Sequence, residues 1–422
     1  MAAVFLPRGY RCTGVACGIK SQAGALDLTL VVSDRPSVAV GAYTTNLVQA
    51  APVLWDRQHT PTSRARAVVA NSGNANACTG LRGLEDCRRM AELTAQAIGV
   101  QTDEVLVLST GIIGHYLPME RIAAGLRQAA QQLGQAEADL LAAACGIMTT
   151  DTRPKLACRA VWRDRNGSPV DSRPGIPPET SSTGMGGAGG EILITGMAKG
   201  AGMIAPHLAT MLAVILTDAP LDPAAAQDVL GETVEETFNC VTIDGHMSTN
   251  DTVLFLANGA AGDEPLSGPA FQAFRPEFRR VCEDLAKAIA ADGEGATHLI
   301  TVQVRGCRTR QDARRIARTV AESLLVKTAI AGADPNWGRI VSAAGYAGCP
   351  FDPDRLVLRL NGFLLFANGQ PTDFNPQEVS HSLRANRDTL IELELAEGLA
   401  EAVVWTTDLT TEYVHINADY HT

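Results

Sequence analysis

Strand-like and helix-like runs alternate along all 422 residues, and this alternation restricts the chain to a mixed α/β protein of layered helices and sheets. Residues 28–32 (LTLVV), 66–70 (RAVVA) and 104–108 (EVLVL) read as strands. Residues 84–98 carry apolar positions at helical spacing, and the Ala-rich stretch 119–144 reads as one long helix or two joined near Gly134. Further helices are expected at 223–238, 276–291 and 309–330, the last stopping toward Gly332 and Pro335. Further strands are expected at 299–305, 356–360, 390–395 and 401–405. Residues 211–216 (MLAVIL) are apolar without a break, the composition of a fully buried strand. The length fits two or three domains at roughly 100–200 residues each.

Charge and composition exclude several classes. The formal net charge of −11 disfavours a nucleic-acid partner, because an acidic surface repels phosphate backbones. No run of about 18 uncharged apolar residues suggests a membrane span. Arg8, Arg11 and Lys20 precede the first acid, Asp27, but Pro7 and Gly9 break any early amphipathic helix and no apolar core with a cleavage site follows. The chain therefore reads as cytoplasmic, with an organelle as the alternative. Its ten cysteines form no CxxC pair and have no histidine at zinc-ligand spacing, so they read as buried reduced thiols. Residues 163–190 are rich in Gly, Pro and Ser and read as a surface loop or hairpin.

The most informative stretch is KGAGMIAPHLATMLAVILTDA, residues 199–219. Thr210 stands at the leading edge of the expected buried strand, reached through Gly200, Gly202 and Pro206. By its surroundings alone, a threonine there is as well explained by β-branched packing as by chemistry. The chemistry becomes specific if the Ala209–Thr210 bond breaks. The β-hydroxyl attacks the preceding carbonyl, and water opens the resulting ester. The freed α-amine, with an unperturbed pKa of about 7.7–8.0, then serves as general base to its own hydroxyl.

This stretch resembles the signature of the ornithine acetyltransferase family, also called glutamate N-acetyltransferases. Members of that family cleave themselves before the Thr of an Ala-Thr-Met-Leu motif. The resemblance runs along nearly the whole chain. It includes PRGYRCTGVACGIK at 7–20, NSGNANACTG at 71–80, STGIIG at 109–114 and MTTDTRPK at 148–155. It continues in STND at 248–251, DGEGATHLI at 292–300, VKTAIAGADPNWGRI at 326–340 and NADYHT at 417–422. The chain departs from the family at His207-Leu208, where Asn-Met is usual, at His246-Met247, and in the longer loop at 163–190.

The resemblance implies a self-cleaving fold of the N-terminal-nucleophile type, with an α fragment 1–209 and a β fragment 210–422. Thr210 is then the nucleophile, and Thr110 with Gly111 forms the oxyanion hole. Lys199, Thr149 or Thr150, Glu294, Asn417 and Thr422 bind the amino-acid substrate. Read without the resemblance, Thr110-Gly111 is a turn after a strand, Lys199 a solvated loop charge and Glu294 a surface turn acid. The implied reaction moves acetyl from N-acetylornithine to glutamate by way of an acetyl-Thr210 ester, with no metal and no cofactor. Some members of the family also accept acetyl-CoA, and the paired fragments form α2β2 assemblies. Two other readings differ in class: an amidase or aminopeptidase that resolves the ester with water, and a non-cleaving relative that only binds amino acids.

Overall fold

A computed structural model describes residues 4–163, 169–170, 191–205 and 211–419. The expected mixed α/β class is what the chain adopts. Its first sheet uses nine strands: β1 (Tyr10–Val15), β2 (Leu28–Tyr43), β3 (Thr62–Asn74), β4 (Val105–Ile112), β5 (Lys155–Arg163), β6 (Pro169–Val170), β7 (Glu191–Lys199), β8 (Leu212–Thr217) and β9 (Thr252–Ala257). Their order across the sheet is β4-β3-β2-β9-β8-β7-β5-β6, with β1 pairing β2 off this path. The β3–β4 and β8–β9 pairs are parallel. The second sheet runs β13-β12-β11-β14-β10-β15, from β10 (Leu299–Cys307), β11 (Val357–Leu360), β12 (Phe363–Ala367), β13 (Gln370–Pro371), β14 (Asp388–Glu394) and β15 (Ala400–Thr407).

Helices cover both faces of the first sheet, which explains why β8 has no polar side. Leu212, Val214 and Leu216 join one core with Leu106, Leu108, Leu254 and Leu256, beneath helix α4 (Glu137–Gly146). On the other face, Ala213 and Ile215 join Val253 and Phe255 beneath α5 (Pro223–Glu236) and α6 (Gly268–Ala291). That same face carries a separate core under β2, β3 and β4, closed by α2 (Gly80–Ile98) and α3 (Met119–Gln131). A strand buried on both faces shows a continuous apolar run rather than alternation. The remaining helices are α1 (Ala51–His59), α7 (Arg310–Glu322), α8 (Leu324–Ala331), α9 (Trp337–Gly345), α10 (Pro376–Ala385) and α11 (Thr411–Asp419). The first of these packs beside β4, and α7 to α10 enclose the core of the second sheet.

Several boundaries differ from the sequence reading. The stretch 119–144 is two helices, α3 and α4, as one of the two expected forms had it. The run 309–330 is also two helices, because Ser323 turns the chain and its Oγ accepts the Val326 N–H, starting α8 afresh. Helix α6 begins at Gly268 rather than at 276, so Pro276 lies inside it. Pro276 lacks the N–H for one helical bond, but Phe274 and Phe278 stack around Phe255 and hold the segment against the sheet. Thr110 and Gly111 lie within β4, not in a turn after it. All ten cysteines are free; six are buried as expected, but Cys78 is exposed and Cys17, Cys145 and Cys158 are only half-buried. Of the loop 163–190, only the two residues of β6 beyond Arg163 lie within the described set.

The boundary 209/210 does not separate two structural units. Strands β8 and β9, from the second half, pair with β7 and β2, from the first. Every residue of β8 is at most 2% exposed, so parting the halves uncovers several Leu, Val and Ile side chains at about 1.5–3 kcal/mol each. If the chain breaks at 209–210, the two pieces should therefore elute together on native size-exclusion chromatography and separate only in denaturant. Separate elution in plain buffer contradicts this.

Candidate active site

A cavity of about 230 Å3 opens where β4, β7 and β9 end or begin. Its walls are Ala75, Thr110, Gly111, Ile113, Thr149, Thr150, Lys199, Gly202, Met203, Ser248, Asn250, Glu294 and Asn417. Seven residues singled out from sequence thus line one space, although they are spread from position 110 to 417. Thr149 and Thr150 both line it. Ala209 and Thr210 lie outside the described residues, as does Thr422.

The described residues next to that gap are held firmly. Met211 is buried; its N–H donates to Asp251 Oδ1 at 2.9 Å, and its carbonyl accepts from the Thr252 N–H at 3.2 Å. Leu212 pairs with Lys199, so the chain re-enters the sheet at the level of the cavity lysine. Asp251 is itself fully buried, and its Oδ2 has no partner among the described residues. Burial pushes its carboxyl well above the ordinary range, against the pull of the Met211 N–H and the Lys199 charge.

Thr110 and Gly111 form the strand end beside the cavity. Gly111 has φ +130°, and a Cβ there would lie 2.3 Å from the Gly73 carbonyl carbon. Strands β3 and β4 approach so closely at this register that only glycine fits. The Thr110 side chain sits beside this contact and is 3% exposed.

Charge is concentrated under the floor of the cavity. Lys199 ends β7 and is buried, and it donates no hydrogen bond to a described residue. Burial pulls its pKa down; Asp151, Asp251 and Glu294 oppose the shift, and Lys155 adds to it. With respect to the described residues, the three donors of Lys199 are available to an anionic ligand. Behind it, the Lys155 ammonium donates to Asp151 Oδ1 at 2.5 Å and Asp292 Oδ2 at 2.6 Å, all three side chains at most 3% exposed. Asp151 also accepts N–H bonds from Gly200 at 2.7 Å and Thr149 at 3.0 Å. Asp292 accepts from both the backbone N–H and the hydroxyl of Thr152. Burial alone would raise the Asp151 carboxyl, but Lys199, Lys155 and the Gly200 N–H outweigh it and hold it at about 2. One lysine therefore ties the Thr149–Thr150 turn, the Lys199–Gly200 strand end and the segment leading into Glu294.

Glu294 enters the cavity opposite Lys199. Its N–H donates to the Ala201 carbonyl, and a Cβ on Gly202 would sit 2.5 Å from its Oε2, so that glycine makes room for the carboxylate. The Asn417 Nδ2 donates to Glu294 Oε2 at 2.8 Å. Helix α11 reaches this point because Thr410 Oγ1 donates to the Gly295 carbonyl and the Tyr413 hydroxyl donates to Asp244 Oδ2. A Cβ on Gly295 would lie 2.5 Å from the Tyr413 nitrogen.

Sequence reasoning missed Lys155, Asp151 and Asp292 as the frame of the site, and Ser248, Asn250 and Met203 as its walls. The signal was present: Asp151 and Lys155 belong to MTTDTRPK, Asp292 to DGEGATHLI, and Ser248 and Asn250 to STND. Among the described residues, no group of His, Cys, Asp and Glu is placed to hold a metal, and no helix is long and apolar enough to cross a membrane.

Comparison with known proteins gives one consistent result. The ArgJ family model matches residues 11–170 and 178–422. The arginine biosynthesis bifunctional protein ArgJ of Rhodopirellula baltica is 44% identical over 420 residues, covering 99% of this chain and 96% of its own. The protein of the same name from Geobacter sulfurreducens is 44% identical over 417 residues, covering 98% of this chain and 99% of its own. Among solved structures, the arginine biosynthesis bifunctional protein argJ of Bacillus halodurans aligns at 41% identity with TM-score 0.48, over 49% of this chain and 98% of its own.

Two outcomes test this geometry. Lys155→Met removes the one ammonium bonded to both buried carboxylates and should lower stability by about 3–5 kcal/mol in urea unfolding; an unchanged midpoint refutes the frame. The Asp151 carboxyl is held below its unfolded value, so its contribution is present above pH about 4 and disappears as pH falls toward about 2. Asp151→Asn should therefore flatten the stability-versus-pH curve across that window, as read by thermal melting in acidic buffers.

Proposed function

The chain belongs to the ArgJ family, and from that footing we propose that it transfers acetyl from N-acetylornithine to glutamate through an ester on Thr210, formed after its own cleavage at Ala209–Thr210. The observation that carries this reading is the meeting of Thr110, Gly111, Thr149, Thr150, Lys199, Glu294 and Asn417 around one cavity, next to the anchored Met211. The relatives are named for a bifunctional role in arginine biosynthesis, which fits two half-reactions on one site.

Cleavage begins when the Thr210 hydroxyl attacks the Ala209 carbonyl carbon. The C–N bond breaks, the nitrogen takes the proton, and water opens the ester to leave a free α-amine on Thr210. In the first half-reaction that amine takes the hydroxyl proton while Oγ attacks the acetyl carbonyl of N-acetylornithine. The Thr110 hydroxyl and the Gly111 N–H stabilise the developing oxyanion, a contribution worth about 2.7–4 kcal/mol per donor in comparable sites. The C–N bond then breaks, ornithine leaves with the proton, and acetyl-Thr210 remains. In the second half-reaction, the neutral amine of glutamate attacks the ester, and Thr210 Oγ leaves and regains its proton.

Both substrates are α-amino acids, so one set of contacts serves both. Lys199, with its donors free, suits the α-carboxylate; Glu294 suits a substrate ammonium; Thr149 or Thr150 and Thr422 supply further hydroxyls. Acetyl-CoA as a second donor would reach the same ester, with its thiol as the leaving group. The working unit is the αβ pair, dimerised to α2β2 and operating in the cytoplasm.

The test uses the purified chain. Denaturing electrophoresis and N-terminal sequencing should give two fragments, the second reading Thr-Met-Leu. Thr210→Ala should run as one band and lose at least about 1000-fold in acetyl transfer. An unbroken chain with full turnover overturns the reading. With N-acetylornithine and glutamate supplied together, acetylglutamate should form faster than free acetate; the reverse identifies a hydrolase.

A further inference from the structure

Asn250 forms part of the cavity wall, is 5% exposed and spends its whole side chain on the protein. Its Nδ2 donates both protons, one to the Ala75 carbonyl and one to the Ser109 carbonyl at 2.9 Å. Its Oδ1 accepts from the Thr249 hydroxyl at 2.6 Å. No donor is left for a ligand. The Ser109 carbonyl belongs to the peptide group whose N–H is that of Thr110, so this bond sets the plane of the peptide entering the Thr110–Gly111 pair. The Ala75 carbonyl follows the end of β3, and the Ala75 N–H donates to the Ile112 carbonyl just beyond Gly111. The Ser109 hydroxyl donates to the Asn74 carbonyl and completes the cross-links between the two strand ends.

The neighbouring residue, Asp251, holds the Met211 N–H at the leading edge of β8. Two adjacent side chains thus grip the strand end that carries Thr110 and Gly111 and the backbone directly after position 210. We infer that Asn250 is a positioning residue for acyl transfer: it aligns the Thr110–Gly111 donors with the leading edge of β8 without touching substrate. The inference rests on the oxyanion role proposed above for that pair. Its physical basis is that misaimed donors stabilise a transition-state charge poorly while leaving ground-state binding unchanged.

A double-mutant cycle on the full-length cleaved enzyme tests it, with rates expressed per mole of cleaved chain. Asn250→Ala should lower kcat about tenfold or more and leave KM for N-acetylornithine within about twofold. In a Thr110→Ala background, the same change should cost clearly less than it does alone, because one of the two donors it aims is already gone. If the two losses multiply in full, or if KM alone rises, Asn250 does not act through the pair and the inference fails. If Thr110→Ala itself leaves kcat unchanged, the oxyanion reading fails, and this inference with it. Should Asn250→Ala not fold, Asn250→Ser, which keeps one hydroxyl donor, carries the same cycle.

Discussion

The Lys155 ammonium, buried between Asp151 and Asp292, reaches a partner 137 residues further along the chain. Removing two carboxylates and an ammonium from water is costly, and the arrangement persists because every charge has a close partner and the carboxylates also accept N–H bonds. A well-packed apolar replacement would be as stable. It would not hold the Thr149–Thr150 turn, Gly200 and the approach to Glu294 in one register. The cluster also carries one more negative than positive charge, which offsets Lys199 in a place where an isolated buried ammonium would shed its proton.

Around that frame, the cavity brings together two sets of residues. Lys199 and Glu294 bring a lysine and a carboxylate side chain to the wall of one small cavity. Thr110 and Gly111 belong to the strand pair β3–β4, whose ends are pressed together until only glycine fits at Gly111. The double-sided burial of β8 keeps Met211 from shifting relative to either set. A nucleophile borne by the preceding residue would inherit a rigid downstream anchor, which acyl transfer needs because attack depends on reactant geometry at the ångström scale.

Helix α11 shows how far the chain travels to complete the site. Asn417 reaches Glu294 only because Gly295 leaves space for the Tyr413 backbone and Tyr413 is tied to Asp244. Chain ends commonly fray; here side-chain hydrogen bonds to two separate segments, at Asp244 and at Glu294–Gly295, hold the last described helix on the cavity rim.

Local elements and residue chemistry were legible along the chain. Hydrophobic periodicity is a short-range property, so α2, α3, α4, β8 and β10 were legible from spacing alone, and the recurring strings named most of the cavity residues before any geometry was known. Relations between distant segments emerged only on folding. Pro276 reads as a helix start but lies inside α6, because its flanking phenylalanines find Phe255 across the core. Lys155 stands in the string MTTDTRPK with no assigned part, and its two partners become visible only when residues 151 and 292 meet in the fold. Asn250 stands in the string STND with no assigned part, and its grip on Ala75 and Ser109 depends on β9 standing in register with β2 and β8. Spacing along a chain constrains residues a few positions apart; which carboxylate faces which lysine is settled by burial, where every polar group needs a partner and only the folded chain can supply it.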